Sequence, residues 1–173
     1  GLVHYPGSAR HLDLRALARL ASVDAAETQV TPSRVLLSVN MLDEPLAPLV
    51  SAANPNILQL HGEESPEDVS IIKARFGLPV IKAIAIETLN DLDHCAKWDG
   101  LADWLLFDAK AKNELQPGGT GRSFDWSILK SYKGHIPWIL AGGLNSINVS
   151  SAIEISGAQA VDVSSGVELK PGK

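Results

Sequence analysis

The amino-acid sequence predicts an α/β protein whose parallel, helix-covered sheet curls into a (β/α)8 barrel of the TIM type, in a single domain spanning residues 1–173. Three observations lead there. Short leucine-rich or β-branched runs alternate along the chain with amphipathic stretches of about ten residues, the pattern of repeated strand–helix units. Val35-Leu36-Leu37 and Trp104-Leu105-Leu106-Phe107 are apolar at consecutive positions, as strands buried on both faces are. Finally, seven strands and six helices are legible. An open flavodoxin-like sheet needs only about five strands, so seven read as a barrel short of one stave. The barrel is therefore expected to be incomplete, lacking a first strand and helix and a closing helix.

In chain order, strands are expected at 1–5, 34–39, 56–61, 79–85, 104–108, 138–141 and 160–163. Helices are expected between them at 12–21, 44–52, 66–76, 89–98, 125–131 and 147–155. The helix over 66–76 has the fullest set of signals. Ser65 is an N-cap, Pro66 suits the first turn, and Gly77 followed by Pro79 ends it. Val69, Ile72 and Phe76 then share one face, and Val149, Ala152, Ile153 and Ser156 repeat that spacing in the last helix.

Composition narrows the function. Hydrophobic residues make up 45% and charged residues 20%, the balance of a soluble globular chain. No apolar run approaches the roughly 20 residues of a membrane helix, and the first residues do not resemble a signal peptide, so no membrane partner is expected. The net charge is −5 and the 15 lysines and arginines are scattered, which argues against nucleic acid and for a small-molecule ligand. Cys95 is the single cysteine, so no internal disulfide and no cysteine metal cluster can form, and a cytoplasmic location is expected. Whether the chain is a monomer or a homodimer stays open.

Alternation along the strands places several polar groups on one face. Gln59 and His61, then Lys82, then Asp108, then Asp162 and Ser164 fall on this set, while Leu58, Leu60, Leu105, Phe107, Val161 and Val163 point toward the helices. Most of the polar set lies near the C-terminal ends of strands, where barrel active sites are built. A carboxyl such as Asp108, partly desolvated there, would hold its proton more tightly and serve as a general acid; a loop-capping role fits the same position. Gly142-Gly143 and Ser164-Ser165-Gly166 follow the last two strands, where glycines let backbone N–H groups approach a phosphate; simple turns are the alternative. Pro117-Gly118-Gly119-Thr120-Gly121-Arg122 reads as a loop that folds over a ligand or as an ordinary flexible connection. Arg10 follows the first strand and could hold a carboxylate in its guanidinium fork, or be a solvated charge. Lys82 would form a Schiff base if desolvated, though pairing with an internal carboxylate explains it equally well. The five histidines show no metal-ligand spacing, so neither metal nor cofactor is expected. Cys95 is read as a small buried hydrophobe and the four tryptophans as packing residues.

Five blocks now stand in order: Gln59-Leu60-His61-Gly62-Glu63; Leu106-Phe107-Asp108-Ala109; Gly118-Gly119-Thr120-Gly121 with Phe124-Asp125-Trp126; Leu140-Ala141-Gly142-Gly143-Leu144; and Val161 to Glu168 with Pro171-Gly172. Together they resemble the phosphoribosylanthranilate isomerases of tryptophan biosynthesis, along essentially the whole chain. The resemblance implies an Amadori rearrangement of an aminoaldose phosphate to an aminoketose phosphate without cofactor or metal. It makes Asp108 the acid that protonates the ribose ring oxygen. Arg10 and Asp162 would engage the anthranilate part, and Gly142, Gly143, Ser164, Ser165 and Gly166 the 5′-phosphate. The family's cysteine base lies on a Lys-Ile-Cys-Gly strand, which is expected to be missing here, and Cys95 does not replace it. A barrel so opened would be poorly stable and weakly active. Two other functions compete: indole-glycerol-phosphate synthase, which would need a catalytic lysine and glutamate at strand ends, and a noncatalytic barrel fragment binding phosphorylated ligands.

Overall fold

The computed structural model describes residues 1–22, 32–109 and 124–172. They fall into two compact units, Gly1–Val80 and Ile81–Lys173. In the first, β1 (Leu2–His4), β2 (Val35–Ser38) and β3 (Ile57–Leu60) alternate with α1 (Leu14–Ala21), α2 (Asp43–Ala53) and α3 (Pro66–Phe76). The pairs β1–β2 and β2–β3 are parallel, with Leu2 opposite Leu36 and Leu36 opposite Leu58. Leu36, Leu58 and Leu60 are completely or almost completely buried, as are Leu17, Leu46, Val69 and Ile72 on the helices, which is the core this unit closes on.

Local chemistry sets the helix limits. The Asp13 carboxylate accepts from the Ala16 N–H at 2.7 Å, so α1 starts two residues later than the sequence pattern suggests. At α3 the expected limits hold. Ser65 and Asp68 form a reciprocal capping box, Pro66 occupies the first turn, and Gly77, at φ +63°, ends the helix.

The second unit carries β4 (Val80–Ile86, its first residue belonging to the first unit), β5 (Trp104–Ala109) and β6 (Trp138–Leu140), with β4–β5 and β5–β6 parallel. Its helices are α4 (Asn90–Asp93) and α5 (Val149–Ser156), with 3-10 turns at Cys95–Trp98 and Trp126–Ser131. Two expected helices are thus corrected. The stretch 89–98 divides at His94 into α4 and a 3-10 turn; Leu89 provides no side-chain cap, and the Asp91 carboxylate accepts the Glu87 and Thr88 N–H groups. The stretch 125–131 winds as 3-10, capped by Asp125 on Ser127. The seventh strand is reduced to a single bridge, Val161 opposite Leu140. Leu140 donates to the Ala160 carbonyl and accepts from the Asp162 N–H, and then the chain turns, with Val167 N–H donating to the Ser164 carbonyl.

The expectation that terminal elements are missing is corrected as well. The described chain has an N-terminal strand, β1, followed by a helix, α1, and a C-terminal helix, α5. Leu2, Val3 and His4 all pair in parallel with β2. Among the described residues no helix is long and apolar enough to cross a membrane.

Candidate active site

Asp108 is the last residue but one of β5 and is 8% exposed. Its Oδ1 accepts the N–H of Ala109 at 2.8 Å. The neighbouring β6 strand ends against it. Ala141 N–H donates to the Phe107 carbonyl, and a β-carbon placed on Gly142 would lie 2.7 Å from the Ala109 nitrogen and 3.1 Å from Asp108 Oδ1. Gly142 holds φ +88° and Gly143 φ +64°, a pair of left-handed residues that turns backbone around the carboxyl.

Strand register decides which side chains share that face. Ala85 lies opposite Asp108, Ile84 opposite Phe107, and Lys82 opposite Leu105. Lys82 therefore points to the side of Leu105 and Phe107, where Phe107 packs edge-on to Tyr132 with ring centroids 5.3 Å apart. The expectation that Lys82 joins the Asp108 face is corrected. Its ammonium is buried, donates to the Ala83 carbonyl at 3.0 Å and lies 5.5 Å from the Trp98 ring centre. Parity counted along one strand is sound only if the neighbouring strand starts in phase, and here it does not.

The two glycine-bearing loops meet. Asn145 forms a parallel bridge with Gly166, and a β-carbon on Gly166 would collide with the Leu144 carbonyl and come within 2.7 Å of Asn145 Cα. Ser164 and Ser165 precede that contact, and their carbonyls accept the Val167 and Glu168 N–H groups. Asp162 is exposed; it follows Val161, which the bridge to Leu140 sets on the Phe107 side. Gly166→Ala is expected to cost more than about 2 kcal/mol by urea denaturation, because two backbones and no flexible side chain must yield.

Sequence reasoning missed what holds the first loop. Asn145 Oδ1 accepts the N–H groups of Ile147 and Asn148, while Asn148 Oδ1 accepts from Asn145 N–H at 2.9 Å and its Nδ2 donates to the Gly143 carbonyl at 2.9 Å. The signal was an Asn-x-x-Asn spacing, a reciprocal lock like a capping box. In the first unit Glu64, 5% exposed, was missed too. Its carboxylate accepts the N–H groups of Asn40 and Gly62, and Asn40 Oδ1 accepts that of Glu63, tying the loop after β2 to the loop after β3.

Arg10 lies in the loop after β1, its N–H donating to Ser8 Oγ at 3.1 Å. The glycine-rich 117–122 loop is outside the described residues. Cys95 is buried and its thiol is pushed up from 9.0 to about 11, chiefly by desolvation, so it stays neutral and is no base at physiological pH. The native state therefore keeps a proton that the unfolded chain loses first, and stability falls as pH rises from about 9 to 11. Tyr132, raised by burial from 10.0, acts in the same direction. Denaturation at pH 8 and pH 10.5 is expected to show a loss on the order of 1–2 kcal/mol, reduced in Cys95→Ala.

Comparison with known proteins settles the family. The family model described as N-(5′-phosphoribosyl)anthranilate isomerase matches residues 15–173. The chain belongs to this isomerase family. It is 47% identical to the N-(5′-phosphoribosyl)anthranilate isomerase of Beijerinckia indica, over 99% of this chain and 76% of the relative. With the Cereibacter sphaeroides isomerase the identity is 46%, over 99% and 80%. Among solved structures, phosphoribosyl anthranilate isomerase from Thermotoga maritima superposes with a TM-score of 0.81 at 34% identity, covering all of this chain and 80% of that one. A second Thermotoga structure, of monomers generated from the dimeric isomerase, gives 0.80 at 33% identity over 78% of its chain. These matches show the α/β fold of the TIM-barrel type and extend over essentially the whole chain, N-terminal strand and helix included.

Proposed function

We propose that this chain catalyses the Amadori rearrangement of N-(5-phosphoribosyl)anthranilate to 1-(2-carboxyphenylamino)-1-deoxyribulose 5-phosphate, with Asp108 as general acid. The observation that carries this reading is the placement of a nearly buried carboxyl at the C-terminal end of β5, against the Gly142-Gly143 turn that opens the loop joined to Gly166. Family membership supports the substrate class.

In the first step the Asp108 carboxyl gives its proton to the ring oxygen of the ribose. The C1′–O bond breaks, and the anthranilate nitrogen lone pair closes a C1′=N double bond. A general base then takes the C2′ proton to leave an enolamine, N–C1′=C2′–OH; the conjugate acid of that base protonates C1′, the 2′-hydroxyl proton is released to water as the ketone forms, and water reprotonates Asp108. The carboxyl stands at the C-terminal strand end where barrel sites are built, 8% exposed. Gly142, Gly143, Ser164, Ser165 and Gly166 surround the 5′-phosphate with backbone N–H groups, next to the start of α5. Arg10 takes the anthranilate carboxylate in a fork, and Asp162 contacts the same end of the substrate. The synthase reading loses its candidate lysine, because Lys82 points to the opposite face from Asp108. We place the activity in a reducing cytoplasm, on the strength of the single cysteine.

The test follows the fluorescence of phosphoribosylanthranilate as it is consumed by the purified chain. Turnover that saturates with substrate is expected. Tight binding of the phosphorylated substrate without turnover would replace the enzyme by a noncatalytic binder.

A further inference from the structure

The loop that carries Arg10 is closed by a histidine. Leu12 returns to β1 and has both of its backbone groups held there. Its N–H donates to the Val3 carbonyl at 2.7 Å, and its carbonyl lies 2.8 Å from His4 Nδ1. A carbonyl oxygen only accepts, so the proton of His4 sits on Nδ1. Within the loop, Ser8 N–H donates to the Tyr5 carbonyl, His11 N–H to the Ser8 carbonyl and Arg10 N–H to Ser8 Oγ, so the backbone of Arg10 is fixed relative to Ser8. The His11 ring stacks obliquely on His4, with centroids 4.8 Å apart, and its buried Nδ1 has no hydrogen-bond partner among the described residues. The His4 ring is thereby packed on one side while its Nδ1–H faces the Leu12 carbonyl.

We infer that His4 is a positioning residue for carboxylate recognition: its Nδ1–H holds Leu12, closes the 5–12 loop at its base and sets the direction of the Arg10 guanidinium. The inference rests on the assignment of Arg10 to the substrate carboxylate. The catalytic groups in the second unit play no part in it. A guanidinium fork is effective only at a defined orientation, so a loop free to open at its base loses affinity for the planar anion and leaves phosphate recognition unchanged.

The test measures Kd by titration for two probes. One is reduced 1-(o-carboxyphenylamino)-1-deoxyribulose 5-phosphate, which carries the carboxylate; the other is ribulose 5-phosphate, which lacks it. His4→Phe keeps a ring beside His11 but removes the donor. It is expected to weaken the first probe about tenfold, the scale of one lost hydrogen bond, and the second less than about twofold. His4→Asn, whose amide nitrogen stands where Nδ1 does, is expected to restore both to within about twofold. His4→Gln carries its nitrogen at the position of Nε2 and is expected to behave like the phenylalanine variant. In an Arg10→Ala background His4→Phe is expected to add nothing. Equal weakening of both probes, or an unchanged Kd in His4→Phe while Arg10→Ala weakens the first probe, overturns the positioning role. If Arg10→Ala itself leaves the first probe unaffected, the carboxylate assignment underneath fails instead, and the two failures are told apart by that one variant.

Discussion

Asp108→Asn is expected to lower kcat for the rearrangement by about 10²–10⁴-fold, the range for loss of a positioned general acid, while Kd for ribulose 5-phosphate stays within a few-fold of the wild-type value. The reason is local. The side chain sits at the end of β5 beside β6, with Oδ1 receiving the Ala109 N–H at 2.8 Å. Asparagine has nearly the same shape and offers its amide oxygen to that N–H, so the backbone keeps its partner and the fold is unchanged. What disappears is the proton that leaves with the ring oxygen. The loops proposed to hold the phosphate, 142–145 and 164–166, contain no part of this carboxyl. Rapid-mixing turnover alongside equilibrium binding checks both halves, and unchanged turnover in Asp108→Asn would end the acid assignment.

Gly142→Ala should damage both stability and chemistry. The residue holds φ +88°, a region an L side chain rarely adopts, and its β-carbon would stand 2.7 Å from the Ala109 nitrogen and 3.1 Å from Asp108 Oδ1. The backbone conformation alone costs on the order of 1–3 kcal/mol. The close approach to Ala109 adds to this, because its nearest atom is a backbone nitrogen that moves only with the end of β5. Relief requires β5 and β6 to separate at the carboxyl, and a shift of about 1 Å at a reacting group lowers rate by about 100-fold. We therefore expect a loss of about 2–4 kcal/mol in chemical denaturation and a fall in kcat of about 100-fold or more. A variant with wild-type stability and turnover would show that the turn is free to rearrange. Gly166→Ala differs in kind, since its clash is with Leu144 and Asn145 and not with the acid.

Much of this was open to a reader of the sequence, for identifiable reasons. The 66–76 helix was bounded correctly because its signals are local to each end: Ser65 and Pro66 act within the first turn and Gly77 within the last. Asp108 and the glycine pairs were singled out because strand ends concentrate polar residues that the apolar strand interiors exclude. Lys82 was misassigned since alternation fixes a side chain's face only relative to its own strand. The phase between β4 and β5, with Lys82 opposite Leu105, is a tertiary fact. The seventh strand dissolved into one bridge because propensity counts apolar residues, whereas a strand exists only where a ladder continues. Asn145 and Asn148 escaped notice because their Asn-x-x-Asn spacing becomes a reciprocal lock only once the turn between them has formed.

What the chain alone determined is the alternation of apolar strands with capped helices and the motif order that places it in its family, since both arise from interactions spanning a few residues. Tertiary structure alone decided which face Lys82 and Asp108 occupy, that the Gly142 and Gly166 loops touch their neighbours' backbones, and that His4 reaches Leu12. Each of these depends on the register and separation of segments distant in sequence or on how a loop folds back, quantities set by packing and hydrogen bonding between elements and not by any residue's own preference.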